Sequence, residues 1–81
     1  MKLVKYSAVW CSPCSQLQKV IDSIDDFPIP IEHVDIDEQS ELAMQNRVRG
    51  VPTLVLVDDK DNEIKRNVGM MTKEALLEWI K

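Results

Sequence analysis

The chain has 81 residues, which suffices for one hydrophobic core and leaves no room for a second. With 44% hydrophobic and 30% charged residues, the composition excludes collagen-like, low-complexity and disordered proteins. The formal net charge of -4 disfavours binding to a nucleic-acid backbone. No apolar run approaches the roughly 18 residues of a membrane-spanning helix, and no secretory signal is recognisable, so we expect a protein that neither spans a membrane nor is exported.

The first half of the chain alternates between strand and helix patterns. Residues 2–6, ending at Ser7, predict a strand, and residues 31–36 predict another. Between them, an apolar stripe from Cys14 to Ile24 predicts an amphipathic helix, with Pro13 suited to its first turn. Two prolines within residues 25–30 end that helix. Ser40 is expected to cap a short helix that extends to about Arg47.

The second half predicts a hairpin followed by a helix. Residues 53–57 form a continuous apolar run, which is typical of a central strand covered on both faces. A polar turn at 58–62 leads into a strand at 63–68, and Thr72 is placed to cap a last helix after Gly69. We therefore predict one α/β domain over residues 1–81, in the order βαβαββα, with a four-stranded mixed sheet and three helices.

Cys11 and Cys14 are the only cysteines. A disulfide that closes so short a loop adds little stability, because the loop-closure entropy grows with loop length. The pair lies where the first strand leads into the first helix, and the N-terminus of a helix stabilises an anion. We therefore predict that Cys11 is a thiolate nucleophile. Cys14, one turn later and less exposed, is expected to resolve the mixed disulfide.

Other uses of the pair fit the sequence less well. A zinc site needs four ligands, and Cys11, Cys14 and His33 supply three, although two chains could share one ion. Haem attachment needs a histidine directly after the second cysteine, where this chain has Ser15. An inert pair is the remaining alternative.

Three segments resemble the thioredoxin family. Trp10-Cys11-Ser12-Pro13-Cys14 is similar to the family's Trp-Cys-Gly-Pro-Cys active site. Residues 49–53 resemble the loop that holds its cis-proline, and Val68-Gly69 before a capped helix resembles its C-terminal region. The length is similar to that of glutaredoxins and of the small thioredoxins of archaea and phages. The glutaredoxin resemblance is weaker, because no basic residue closely precedes Cys11 and Gly69 is not part of a glutathione motif.

The resemblance implies a minimal thioredoxin-like fold and a set of site residues. A cis bond before Pro52 would place the Val51 backbone beside Cys11, where it could pair with an extended substrate segment. Ser12 and Pro13 would support the two cysteines. The implied substrate-binding rim consists of Trp10, Gly50, Val51, Gly69 and Met70.

The resemblance also implies an activity. It predicts a monomeric, cytoplasmic enzyme that reduces protein disulfides and needs neither a metal nor a bound cofactor. Thioredoxin reductase would supply the electrons, and ribonucleotide reductase is a candidate substrate. The alternatives are a glutathione-coupled reductase, a non-catalytic module that binds partners through the same surface, and a zinc-bridged structural dimer.

The chain departs from the resemblance at Lys5. Many thioredoxins carry a buried aspartate six residues before the first cysteine, and the lysine that partners it aligns with His33. One interpretation is that Lys5 reaches the end of its strand and pairs with Glu32 or Glu63. The other is that Lys5 lies beneath the cysteines and favours a Cys14 thiolate. We expect His33 to be a strand residue rather than a proton shuttle.

Overall fold

The computed structural model describes residues 1–81 and has the predicted order of elements. They are β1 (Lys2–Ser7), α1 (Ser12–Asp22), β2 (Ile31–Asp35), α2 (Ser40–Gln45), β3 (Thr53–Val57), β4 (Glu63–Val68) and α3 (Lys73–Trp79). The bounds of β3 and β4 are those predicted, because an apolar run followed by a polar turn defines both ends of the hairpin. None of the helices has the length and apolar character required to cross a bilayer.

The four strands form one mixed sheet in the order β2-β1-β3-β4. Strand β1 runs parallel to β2 and antiparallel to β3, and β3 is antiparallel to β4. All five residues of β3 are buried, as expected for a central strand covered on both faces. The parallel pair places the C-terminal ends of β1 and β2 at the same edge, from which the chain enters α1 and α2.

Alternation along β1 divides the core between the two faces of the sheet. Leu3 packs with apolar residues of α1 and α3 on one face, in a cluster completed by Leu17, Ile21, Leu54, Leu76 and Ile80. Val4 and Tyr6 face α2 on the other side, with Val34, Ala43, Val55 and Val57. Trp79 packs against the first cluster. The alternation places Lys5 on the same face as Leu3, towards α1.

The boundaries of α1 and α2 differ from the prediction, and α1 ends at Asp22 rather than Ile24. Helix α1 begins at Ser12 rather than Cys14, because Cys11 occupies the N-cap position. The predicted cap at Ser40 is wrong, since Gln39 precedes α2 and makes no side-chain cap bond. The Asp35 carboxylate already accepts hydrogen bonds from the two backbone N–H groups of residues 37 and 38. This turn directs the chain into α2 without a side-chain cap, and Ser40 is the first residue of the helix. The helix also ends early, and Arg47 lies outside it with a φ of 57°.

Candidate active site

Cys11 occupies the N-cap of α1 and uses its sulfur as the capping group. Its backbone is extended, with φ of -90° and ψ of 105°, and its Sγ accepts a hydrogen bond from the Cys14 N–H at 3.1 Å. Pro13 lies in the first turn, where its missing N–H costs nothing. The unpaired N–H groups and the partial positive charge of this helix end stabilise negative charge on Cys11.

The Cys11 and Cys14 sulfurs form a disulfide, with a distance of 5.2 Å between the two Cα atoms. Both residues are buried, at 5% exposure for Cys11 and 3% for Cys14, so the predicted difference in exposure is present but small. They form a compact apolar cluster with Ala8, against which Ile36 and Val51 pack. These apolar side chains therefore shield the disulfide bond on the side that faces the protein interior. Ser12 and Pro13, which lie between the two cysteines, are exposed.

The loop before β3 lies beside this cluster. The Val51–Pro52 peptide bond is cis, as the resemblance implied, and Pro52 is buried. Two hydrogen bonds fix the loop. The Thr53 hydroxyl donates to the Gly50 carbonyl at 2.6 Å, and the Gly69 N–H donates to the Pro52 carbonyl at 2.9 Å. Since Val51 packs against the cysteine cluster, these bonds hold a defined backbone segment next to the disulfide.

Exposed apolar side chains occur on the loops that surround the disulfide. Trp10 is 66% exposed and Met70 is 45% exposed. The Trp10 indole N–H donates to the Asp37 carboxylate at 2.8 Å, which fixes one end of the ring. Gly69 has a φ of 100°, in the left-handed region that favours glycine, so the chain turns sharply between β4 and Met70. An exposed apolar surface rimmed by polar residues is typical of a protein interaction site.

Lys5 pairs with neither predicted carboxylate. Its Nζ donates to the Gln18 side-chain oxygen at 2.7 Å, whereas Glu32 pairs with Lys2 and Glu63 with Arg66. The reason is the sheet register. Glu32 lies opposite Val4, and Glu63 lies opposite Val57, so both carboxylates extend from the face that carries α2. Lys5 extends from the other face, and its burial lowers the pKa of its ammonium group.

The other candidates for metal chemistry are not assembled into a site. His33 is exposed on β2, as expected of a strand residue. No group of three or more histidine, cysteine, aspartate or glutamate side chains is arranged to hold a metal ion.

A model of the family described as thioredoxin matches residues 1–81. The chain belongs to the thioredoxin family. It is 36% identical over 80 residues to the thioredoxin of Chlamydia trachomatis, a match that covers 96% of this chain and 78% of that protein. It is 31% identical over 74 residues to a thioredoxin-like protein from the SPbeta prophage of Bacillus subtilis, covering 91% of this chain and 89% of that one.

Solved thioredoxin structures superpose on the whole fold. A mutant thioredoxin from Halobacterium salinarum gives a TM-score of 0.88 at 35% identity, over 98% of this chain and 70% of that chain. The thioredoxin of Fasciola hepatica gives a TM-score of 0.86 at 28% identity, over 98% of this chain and 76% of that chain. The family match and the Cys11–Cys14 disulfide together identify this protein as a thiol–disulfide oxidoreductase.

Three residues that support the site were not predicted from the sequence of this protein. Gln18 could have been found, because it follows Cys14 by four positions on a helix and so lies next to it. Thr53 carried a weaker signal, as the single hydroxyl in the otherwise apolar run of β3. Asp37 carried none, because its contact with Trp10 depends on how the two loops meet at the edge of the sheet.

Proposed function

We propose that this protein reduces disulfide bonds of other proteins, with Cys11 as the attacking group and Cys14 as the resolving group. The observation that supports this order is the position of the Cys11 sulfur at the N-terminus of α1, where a thiolate is stabilised. Cys14 lies one turn further along the helix and is the more buried of the two.

The reaction proceeds through two thiol–disulfide exchanges. The Cys11 thiolate attacks one sulfur of the substrate disulfide, a mixed disulfide forms, and the other substrate sulfur leaves as a thiolate. The Cys14 thiolate then attacks the Cys11 sulfur. The Cys11–Cys14 bond forms, the bond to the substrate breaks, and the second substrate thiolate leaves and takes up a proton. Two electrons pass from the protein dithiol to the substrate disulfide.

The surface around the disulfide supports a broad choice of protein substrates. The fixed backbone of Val51 offers main-chain hydrogen bonds to an extended segment, which give affinity without demanding a particular sequence. Trp10 and Met70 supply exposed apolar contact, and methionine adapts to partners of different shape. Gly50 and Gly69 complete the proposed rim, and Ser12 and Pro13 support the cysteines within it.

The proposal includes the cellular setting. A dithiol that works as a reductant needs a compartment that keeps thiols reduced, so we place the protein in the cytoplasm. A thioredoxin reductase regenerates the dithiol, and the protein acts as a monomer without a bound cofactor. Paired turnover assays, one with a thioredoxin reductase and one with glutathione, identify the donor. Turnover with glutathione alone would contradict this part of the proposal.

Reduction of insulin in the presence of dithiothreitol tests the activity. We expect the wild-type protein to accelerate the reaction, and the Cys11→Ser variant to lose that acceleration. Gln16→Ala, at an exposed position on the same helix, is the matched control and is expected to retain it. Full acceleration by Cys11→Ser would contradict the mechanism, and no acceleration by the wild-type protein would contradict the function.

A further inference from the structure

A shallow cleft of about 220 Å³ opens beside Cys14, on the side of α1 that faces the sheet. Lys5 of β1, Gln18 of α1 and Asp35 of β2 line it together with Cys14. The cleft is lined by Cys14, but the exchange steps proposed above use none of its other lining side chains. It therefore connects the resolving cysteine to a buried charged group.

Lys5 is the buried cation of this cleft, with 4% of its surface exposed. The only side chain that its ammonium group contacts by a hydrogen bond is neutral, the Gln18 amide at 2.7 Å. The amide N–H of Gln18 donates in turn to the Asp22 carboxylate at 2.8 Å. The Gln18 amide therefore lies between the Lys5 ammonium and the carboxylate of α1. Burial lowers the pKa of Lys5, and the negative charge of Asp22 offsets part of this effect.

The other charged groups around Lys5 do not neutralise it. Asp35 lines the cleft, but its carboxylate accepts two backbone N–H groups in the turn before α2 and forms no ion pair. His33 lies opposite Lys5 on β2 and is exposed, and Leu54 lies opposite Lys5 on β3 and is apolar. A buried ammonium group with a neutral partner is costly, because desolvation is not repaid by an opposite charge.

Helix geometry and the cleft place this ammonium group on the side of α1 that carries Cys14. Gln18 follows Cys14 by four residues, so their side chains are neighbours on one face of α1. The Lys5 ammonium binds the end of the Gln18 side chain, and Lys5 and Cys14 line the same cleft, so the ammonium group lies on the side of α1 that carries Cys14. An opposite charge that lines the same partly buried cleft changes an ionisation equilibrium by about tenfold.

We propose that Lys5, held by Gln18, is a positioning charge that stabilises the Cys14 thiolate for the resolving step. The assignment rests on the proposed role of Cys14 as the resolving group. In the oxidised protein the disulfide is neutral, and Lys5 forms no ion pair. Reduction adds two electrons and two protons and yields two thiols. When Cys14 then gives up its proton to solvent, the negative charge of its thiolate interacts with the positive charge of Lys5.

The direct test is a titration of the Cys14 thiol. It is followed in a Cys11→Ser background through the ultraviolet absorbance of the thiolate. Lys5→Met keeps the length of the side chain and removes the charge. We expect this change to move the titration to higher pH, so that at a fixed pH on its acid side the thiolate fraction falls about tenfold. Lys19→Met removes an exposed charge from the same helix and is expected to leave the titration in place.

A second readout follows the resolving step itself. Reduced protein with both cysteines intact reacts with a chromogenic aryl disulfide, and the second release of the coloured thiolate reports attack by Cys14. Lys5→Met is expected to slow this release about tenfold at neutral pH and to move its pH profile in the alkaline direction. The first release, which reports attack by Cys11, is expected to change much less.

Unchanged Cys14 titration and release rate in a folded Lys5→Met protein would overturn the proposal and leave Lys5 a structural residue. Lys5→Gln, also neutral, serves the same test if the methionine variant does not fold. The outcome is independent of the insulin assay. A wild-type protein that fails to reduce insulin contradicts the proposed function, whereas the Cys14 titration decides the role of Lys5 in either case.

Discussion

Replacing Thr53 by valine tests how the loop beside the disulfide is held. Thr53 is 1% exposed, and its hydroxyl donates to the Gly50 carbonyl at 2.6 Å. Valine has nearly the same shape, so the packing of β3 is kept and only the hydrogen bond is lost. The segment released is the turn that carries Val51 and Pro52, next to Cys11.

The magnitude follows from the burial of the two partners. A neutral hydrogen bond contributes about 0.5–1.5 kcal/mol net, and an acceptor left unpaired and fully buried costs about 1–3 kcal/mol. Gly50 is only half-buried, so water can reach its carbonyl in the variant. We therefore expect Thr53→Val to lower the free energy of unfolding by about 1 kcal/mol. A loop loosened by that amount binds an extended substrate up to about fivefold more weakly.

Urea unfolding of the oxidised protein measures the stability, and the KM for insulin measures the binding. Thr72→Ala is the matched control, because it removes the N-cap hydroxyl of α3 and also costs about 1 kcal/mol. We expect the KM to rise in Thr53→Val and to stay unchanged in Thr72→Ala. An equal KM in Thr53→Val and the wild type, or an equal rise in both variants, would refute the reasoning.

Two further predictions concern the scaffold. Leu17 is fully buried between α1 and the sheet, so Leu17→Ala is expected to lower the free energy of unfolding by about 3 kcal/mol in urea titrations, against almost no change for the exposed Gln16→Ala. Arg66 donates to the carbonyls of Asn46 and Arg47 and pairs with Glu63, so Arg66→Met is expected to cost about 1 kcal/mol at neutral pH. Hydrogen bonding to Arg66 lowers the pKa of Glu63 below 4.5, so the stabilisation from this pair is present above about pH 4.5 and is lost as the pH falls through the lowered pKa. The stability difference between Arg66→Met and the wild type should therefore narrow in acid.

Each of these predictions has a contrary outcome. A loss below about 1 kcal/mol for Leu17→Ala would mean that α1 is not anchored by this side chain. A stability difference for Arg66→Met that is constant from neutral pH to about pH 3 would mean that the ion pair with Glu63 does not contribute to folding.

The sequence predicted most reliably those features that are determined locally. The apolar run of β3 and the polar turn after it define the hairpin, and the placement of Cys11 and Cys14 before a helix defines the redox site. The cis bond at Pro52 was not evident from local chemistry and came from the resemblance to thioredoxins. It is confirmed by the structure.

The errors arose where two parts of the chain meet. The partner of Lys5 depends on the register between strands, because that register places Glu32 and Glu63 on the opposite face of the sheet. Ser40 matches the usual pattern of a helix cap, but the Asp35 carboxylate organises the turn before α2 instead. In both cases a tertiary arrangement overrides a pattern that is reasonable for the isolated segment.

Trapping of the mixed disulfide tests the central claim most directly. Cys14→Ser and Cys11→Ser variants, each reduced, are mixed with insulin and analysed by mass spectrometry after proteolysis. We expect Cys14→Ser to accumulate an adduct in which Cys11 is joined to an insulin cysteine, and Cys11→Ser to accumulate little or none. Equal adducts in both variants, or an adduct at Cys14 alone, would contradict the assignment of Cys11 as the attacking group.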